Sequence, residues 1–503
     1  MATGPDQIPA RILKDLNGLL NKDVCSFINA SYRLNFFPSR LKHAVITPIY
    51  KDKGNHNSPD FYRPISILSI LSKIFERAAT SQITEYLEKY NLLFQGQHAY
   101  RKSHSTATSL IETMDFIHKQ LDRGYLVGLV STDLSKAFDT LSHDLLLNKL
   151  KEKGFTKHST AWLKSYLTER TQQVKMHNVT SSVQTVEAGV PQGSILGPIL
   201  FITFTADFQD HLSDHKVTAY ADDTQILITA RNEEELKNKV ESSIRKAQLW
   251  YSTNSLKINP AKTEILVLGR KNTQSRLNFT VQEGKSSTSI ENSNKMKILG
   301  VLLDEKLTWE HQVKSVKAKT FRIIRKLART AHILPMSSRR QLYDALVTPH
   351  FSYCDTVWGG LSKGLSMELQ KAGNFAARSL LGLKKRASAT FALVKLNMMP
   401  LEQKRMVHTG VLVHKIRKGT GPAYLLNEYG MQSTRGHQTR SKTRGDMKTL
   451  SHNTAKYERS TLQRATQTWN SIPVDIRNIE NTSNFKRKYQ GHLLNRFKQD
   501  AMN

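Results

Sequence analysis

The sequence predicts an α+β protein of several packed subdomains, on three observations. Strand-like and helical segments alternate as far as about residue 303. The remainder is mostly helical and basic. At 503 residues the chain also exceeds what one hydrophobic core usually organises.

Taken in order, residues 1 to about 42 carry a helical pattern, with Ile12, Leu16, Leu19 and Leu20 at helical spacing before Phe36, Phe37 and Pro38 close it. AVITPIY (Ala44 to Tyr50) reads as a short strand, KDKGNHNSPD as a polar loop and YRPISIL (Tyr62 to Leu68) as strand-like. A helical stretch follows to about Asn91. YLVGLV from Tyr125 reads as a buried strand that stops at Ser131, Thr132 and Asp133. Ser142 is a good N-cap and Gly154 a good stop for a Leu-rich helix. TQQVKMHNV and SSVQTVEAGV form a strand-like pair before the turn Pro191 to Gly193, and a helix begins near Leu196. VTAYADDTQILIT reads as strand, tight turn and strand, followed by a helix over Glu233 to Asn254. TEILVLG and KMKILGVLLD are two further strands. From Val313 to Arg329, a step of about 100° per residue puts Val313, Val316, Thr320, Ile323, Ile324 and Leu327 on one side. Lys319, Arg322, Arg325, Lys326 and Arg329 fall opposite.

Composition narrows the partners. Seventy-four Lys+Arg against 42 Asp+Glu leave a formal charge of +32, which attracts polyanions beyond contact range, so nucleic acid is the expected partner. No run approaches the roughly 20 apolar residues of a spanning helix; Ile195 to Phe204 is short and broken by Gly197 and Pro198. The start, MATGPDQIPARILKD, has no apolar signal core. Cys25 and Cys354 lack neighbours at zinc-ligand spacing, so neither a disulfide scaffold nor a zinc site is expected. The expected setting is intracellular, in the nucleus and/or cytoplasm.

Three acids stand out. Asp133 ends an apolar strand, and Asp222 and Asp223 occupy a hairpin turn. Alone, an Asp-Asp pair reads as an ordinary turn. The surrounding motifs change that reading: DLSKAFD (Asp133 to Asp139), GVPQGSILGP (Gly189 to Pro198), YADD (Tyr220 to Asp223), NPAKT (Asn259 to Thr263) and KILG (Lys297 to Gly300), in this order, resemble polymerase motifs A to E of reverse transcriptases. PIYKDKG and YRPISIL look like the fingers motifs. The resemblance covers roughly residues 44 to 303 and is nearest to non-LTR (LINE-type) retrotransposon enzymes. ATGPDQIPA, PHFSYCDTVW, FAARSLLGL and WNSIP are similar to stretches flanking the polymerase in such elements.

The resemblance implies a right-hand polymerase: fingers, a palm with a small antiparallel sheet backed by helices, and a helical thumb. Expected boundaries are 1–43 for a helical extension, 44–303 for fingers and palm, 304–400 for the thumb and 401–503 for a basic, mainly helical region of unknown role. It implies two Mg²⁺ ions, with Mn²⁺ as a substitute, on Asp133, Asp222 and Asp223. Lys262 would protonate the leaving pyrophosphate. Lys51, Lys53 and Arg63 are candidates for the triphosphate, the Arg as a bidentate fork and the Lys as point charges. Phe138 would exclude a ribose 2′-OH, and Gln192 would face the incoming nucleotide. Gly193, Tyr220, Leu299, Gly300 and Arg101 would meet template and primer. Ala99 and Tyr100 depart from the Gly-Phe usual before that arginine. Asp139 reads as structural. Placed after these motifs, the cationic face of Val313 to Arg329 reads as a nucleic-acid ridge rather than a merely solvated face.

The function implied is RNA-directed DNA polymerisation from a DNA primer with dNTPs on an RNA template, by target-primed reverse transcription. The family's upstream endonuclease is expected to be missing, so a separate endonuclease would supply the nick. RNA-directed RNA polymerisation and a catalytically idle nucleic-acid-binding remnant are the alternatives. No cluster of acids suited to RNase H follows residue 310. STRGHQTRSKTRGD (Ser433 to Asp446) reads as a mobile loop.

Overall fold

The computed structural model describes residues 3–52, 54–134, 137–258, 262–270, 276–283, 286–429 and 444–502. Lys53, the first three residues of NPAKT and most of the polar stretch read as a loop lie outside the described residues. The chain divides into two compact units, each assembled from separate segments. Unit 1 comprises Met1–Tyr100, Thr132–Thr224 and Ser242–Thr263; unit 2 comprises Arg101–Ser131, Gln225–Glu241 and Glu264–Asn503. The strands along the chain are β1 His43–Tyr50, β2 Tyr62–Ile67, β3 Leu126–Thr132, β4 Arg170–Met176, β5 Val179–Thr180, β6 Gln184–Val186 and β7 Lys216–Tyr220. They continue with β8 Asp223–Ala230, β9 Glu264–Leu268, β10 Asn278–Glu283, β11 Ser286–Glu291, β12 Lys295–Ile298 and β13 Val301–Asp304.

Unit 1 contains a sheet in the order β2-β1-β4-β5, with β6 also on β4. β1 and β2 are antiparallel, with Ile49 opposite Arg63, and β1 runs parallel to β4. Phe37, fully buried, meets Phe75, Trp162 and Tyr166 edge-on with centroids 5.9, 5.7 and 5.1 Å apart, the geometry that ring quadrupoles favour. Helix Gly197–Phe204 (GPILFITF) is buried at every position but Pro198; with no polar stripe it has no face suited to water. The expected helical start is two helices, Ala10–Asp15 and Asn21–Arg33. Between them Gly18 sits at φ +98°, which a glycine adopts without strain.

In unit 2, β8, β3 and β9 are neighbours in that order. β3 and β9 are antiparallel, with Leu129 opposite Leu266. Val127, Leu129 and Val130 are inaccessible to solvent, as expected of a strand covered on both faces. Leu110, Ile111, Met114 and Ile117 of helix Thr106–Asp122 share the core of Val127 and Leu129. KMKILGVLLD, expected as one strand, is the hairpin β12–β13, reversing at Leu299 and Gly300 (φ 44° and 85°). The hairpin β10–β11 went unread because its residues are largely polar and, among its described side chains, only Phe279 and Val281 mark a buried face. Helix Glu310–Arg329 buries Val313, Val316, Thr320 and Ile324 and exposes Lys319, Arg322, Arg325, Lys326 and Arg329, the two faces the spacing predicts. No described helix is long and apolar enough to cross a membrane.

The entry to that helix depends on one carboxylate. Asp304, buried, accepts from the backbone N–H of Lys306 (3.2 Å), Thr308 (3.0 Å) and Trp309 (2.9 Å) and from the Thr308 hydroxyl (3.2 Å). Asp304→Ala strands these donors. It is expected to cost about 3 kcal/mol, from the worth of charge-assisted bonds and of buried donors left unmet, read as a lowered urea midpoint.

Candidate active site

The three acids belong to unit 1. β3 ends at Thr132, whose hydroxyl lies 3.3 Å from the Tyr251 hydroxyl. Asp133 therefore leaves the strand just where its apolar sequence stops, and Leu134 next to it bridges Ile258. Asp222 and Asp223 follow β7 across a turn in which Ala221 takes φ +57°. Successive side chains of an extended strand diverge; the left-handed residue breaks the extended run immediately before the two acids.

These groups feel one another. The Asp222 carboxyl is pushed up, first by partial burial and then by the Asp133 charge, with Lys262 opposing. The Asp223 carboxyl is pushed up to about 6 by desolvation, then by Asp222 and Asp133. The Lys262 ammonium is ion-paired with Asp133 Oδ2. Concentrated negative charge that already draws an ammonium, built only of carboxylate oxygens, suits a hard divalent cation. It is not a closed cage: among the described residues no three His, Cys, Asp or Glu side chains gather at metal-holding spacing.

Two motifs lock beside the acids. The Val190 N–H donates to Phe138 O (2.8 Å), the Gly189 N–H to Leu141 O (2.8 Å), and the His143 ring Nε2 is 2.8 Å from Gly189 O. A Cβ on Gly189 would meet Asp139 O at 2.6 Å, so glycine is needed for this approach. The half-buried Phe138 ring stacks on Phe201, centroids 4.7 Å apart. Gln192 Nε2 lies 3.5 Å from Asp139 Oδ1, and Gln192 O accepts from the Ser66 N–H at 2.7 Å. Gly193 has φ +115° and backs onto Ser66 O. Lys51 donates to Asp60 O at 2.8 Å in the β1–β2 loop, and Arg63 is exposed on β2. Tyr220 is half-buried at the end of β7. Three of the expected template and primer contacts, Arg101, Leu299 and Gly300, belong to unit 2. Arg101 there is only 9% exposed. Leu299 O accepts from the Tyr353 hydroxyl at 2.7 Å, beside Gly300.

Two residues escaped the reading of the sequence. Glu76, fully buried, accepts from the N–H of Ile195 (2.6 Å) and Leu196 (3.1 Å) and from the Ser72 hydroxyl (2.9 Å). It thereby ties helix Ile70–Lys89 to the SILG segment. Burial pushes its carboxyl up, against those bonds and the Arg170 charge. An acid on the apolar stripe Phe75, Ala79, Ile83 and Leu87 was the available signal. Gln97, 2% exposed, clamps the catalytic turn: Oε1 accepts from the N–H of Ala221 (2.9 Å) and Ala99 (3.0 Å), and Nε2 donates to Ala221 O (3.2 Å). Nothing in its local pattern, FQGQHAY, marked it.

The family model described as reverse transcriptase (RNA-dependent DNA polymerase) matches residues 50–303. The chain is 29% identical over 401 residues to the probable RNA-directed DNA polymerase from transposon BS of Drosophila melanogaster, covering 78% of this chain and 44% of that protein. It is 27% identical over 376 residues to the RNA-directed DNA polymerase from mobile element jockey of the same organism, covering 72% and 40%. The chain thus spans less than half the length of these relatives. Among solved structures, apo telomerase from Candida tropicalis is similar at 12% identity and a TM-score of 0.40, over 77% of this chain and 68% of that one. With more than half of its residues matched by one family model, the chain belongs to the reverse transcriptase (RNA-dependent DNA polymerase) family.

Proposed function

We propose that this chain is an RNA-directed DNA polymerase that extends a DNA primer with dNTPs on an RNA template, in target-primed reverse transcription of a retrotransposon. The observation that carries the reading is the coupled set Asp133, Asp222, Asp223 and Lys262, lying in family motif order. Asp133, Asp222 and Asp223 would hold two Mg²⁺ ions, with Mn²⁺ as a substitute. The ions would supply positive charge at the attacking 3′ oxygen and at the leaving pyrophosphate. Lys262 holds the proton for that pyrophosphate, and its pairing with Asp133 keeps the ammonium at the acids until a triphosphate competes for it. Arg63 and Lys51, with Lys53, hold the triphosphate. Gln192 and Gly193 shape the nucleotide site, and Tyr220 meets the primer end. Arg101, Leu299 and Gly300 are assigned to template and primer, with a separate endonuclease providing the nick and the nucleus and/or cytoplasm as the place of action.

The Phe138 ring, backed by Phe201, is stiff enough to reject a 2′-OH. Primer extension on an RNA template, with dNTPs and NTPs compared, tests the reading. The wild type is expected to use dNTPs, and Phe138→Val to raise relative NTP use at least about tenfold, as a relieved steric contact does. Efficient NTP use by the wild type would point instead to an RNA polymerase, and salt-dependent binding without extension to an idle binding module.

A further inference from the structure

We infer that Gln97 is a positioning residue for the catalytic turn, holding Ala221 in the left-handed conformation from which Asp222 and Asp223 project. The inference rests on the polymerase reading for its consequence in rate, and on geometry alone for its structural part. An alanine at φ +57° is strained, because its Cβ crowds the following carbonyl, so the conformation persists only where neighbours impose it. The Gln97 amide grips the peptide groups on both sides of that residue's Cα, accepting from its N–H at 2.9 Å and donating to its carbonyl at 3.2 Å. Its orientation is determined by its partners, since Oε1 faces two N–H groups and Nε2 a carbonyl.

The grip has a rigid base. Gln97 and Ala219 form a parallel bridge: the His98 N–H donates to Ala219 O and the Ala219 N–H to Gly96 O, both at 2.8 Å. A Cβ on Gly96 would meet Val217 O at 2.4 Å, so this segment lies directly against β7. Gln97 therefore reaches the turn from a backbone already locked to the strand that enters it. A buried amide satisfied in this way has one geometry, and it passes that geometry to the acids one and two residues on.

Three variants and two readouts test this. Gln97→Ala is expected to reduce kcat for primer extension on the order of 100-fold, the effect of misplacing reacting groups by about 1 Å, with KM for dNTP within about threefold. Gln97→Glu keeps an acceptor for the Ala221 N–H but sets a carboxylate against its carbonyl, and should be no better than alanine. Ala221→Gly in the Gln97→Ala background should recover about tenfold, since glycine reaches positive φ without strain. Amide hydrogen exchange across residues 219–224, measured without metal or nucleotide, should quicken in Gln97→Ala and leave the β1–β2 peptides unchanged.

Unchanged exchange in the turn overturns the inference even if the wild type extends no primer, an outcome that would count separately against the polymerase reading. Failure of Ala221→Gly to rescue, or a KM effect larger than the kcat effect, also overturns it. If Gln97→Ala does not fold, exchange and kcat of Gln97→Glu decide by the same criteria.

Discussion

Asp222→Asn is expected to reduce primer extension at least about a thousandfold, the scale set by losing preorganised charge at a phosphoryl-transfer site, while primer-template affinity stays within about threefold. Asn keeps the size and one acceptor oxygen, so the change isolates charge. Asp222 is half-buried in the crowded acid set, and its carboxyl is raised by desolvation and by Asp133. Removing it relieves that repulsion, so the folded protein should be no less stable and a thermal melt should show Tm unchanged or slightly higher. The paired result is the discriminating one: rate lost, fold and binding kept. Residual extension above a few percent of wild type would show that Asp222 is not a ligand of the reacting centre.

The second large effect is on stability against pH and involves two buried groups of unit 2. Asp115 retains some exposure as a residue, but its Oδ1 is sealed from solvent while Oδ2 accepts from the Tyr429 hydroxyl at 2.5 Å. Burial, with Glu428 adding and Tyr429 and Arg464 opposing, pushes its carboxyl up to about 7. One turn on, burial with Arg464 and Lys456 pushes the His118 imidazole down to about 4. A raised acid means the folded state binds the extra proton, so its contribution falls as pH rises from about 4 to 7. A lowered histidine means the unfolded state binds the extra proton, so its contribution grows from about 4 to 6.5. The two slopes, each up to about 1.4 kcal/mol per pH unit, oppose each other and nearly cancel in the wild type.

Each single substitution should therefore uncover the other group. His118→Leu is expected to lose about 3 kcal/mol of stability between pH 4 and 7, and Asp115→Asn to gain about 3 kcal/mol between pH 4 and 6.5. Both are read as the pH dependence of the urea midpoint relative to wild type. Parallel curves for all three proteins would mean that these groups titrate alike in the folded and unfolded states.

Much of the fold was legible because its elements are locally encoded. The Ser142 cap forms, its hydroxyl accepting from the Leu145 N–H at 3.4 Å, and the helix His143–Glu152 that it opens ends before Gly154 at φ +84°. The buried run of β3 and the two faces of helix Glu310–Arg329 came from periodicity that the packed chain respects. Where packing rather than pattern decided, the reading failed: Leu299 and Gly300 turn back within a continuous apolar run, and β10 and β11 pair with few apolar residues to announce them.

By itself the sequence determined the chemistry available at the site, because motifs such as DLSKAFD, YADD and PQG carry side chains whose reactivity is intrinsic and whose order along the chain is linear information. Only the tertiary structure decided how those side chains are held. Glu76 lies 119 residues from Ile195, and Gln97 lies 124 from Ala221. A hydrogen bond between groups so far apart in sequence leaves no periodic trace; it exists because folding removes the partners from water and brings them within reach of one another, where buried polar groups must be satisfied.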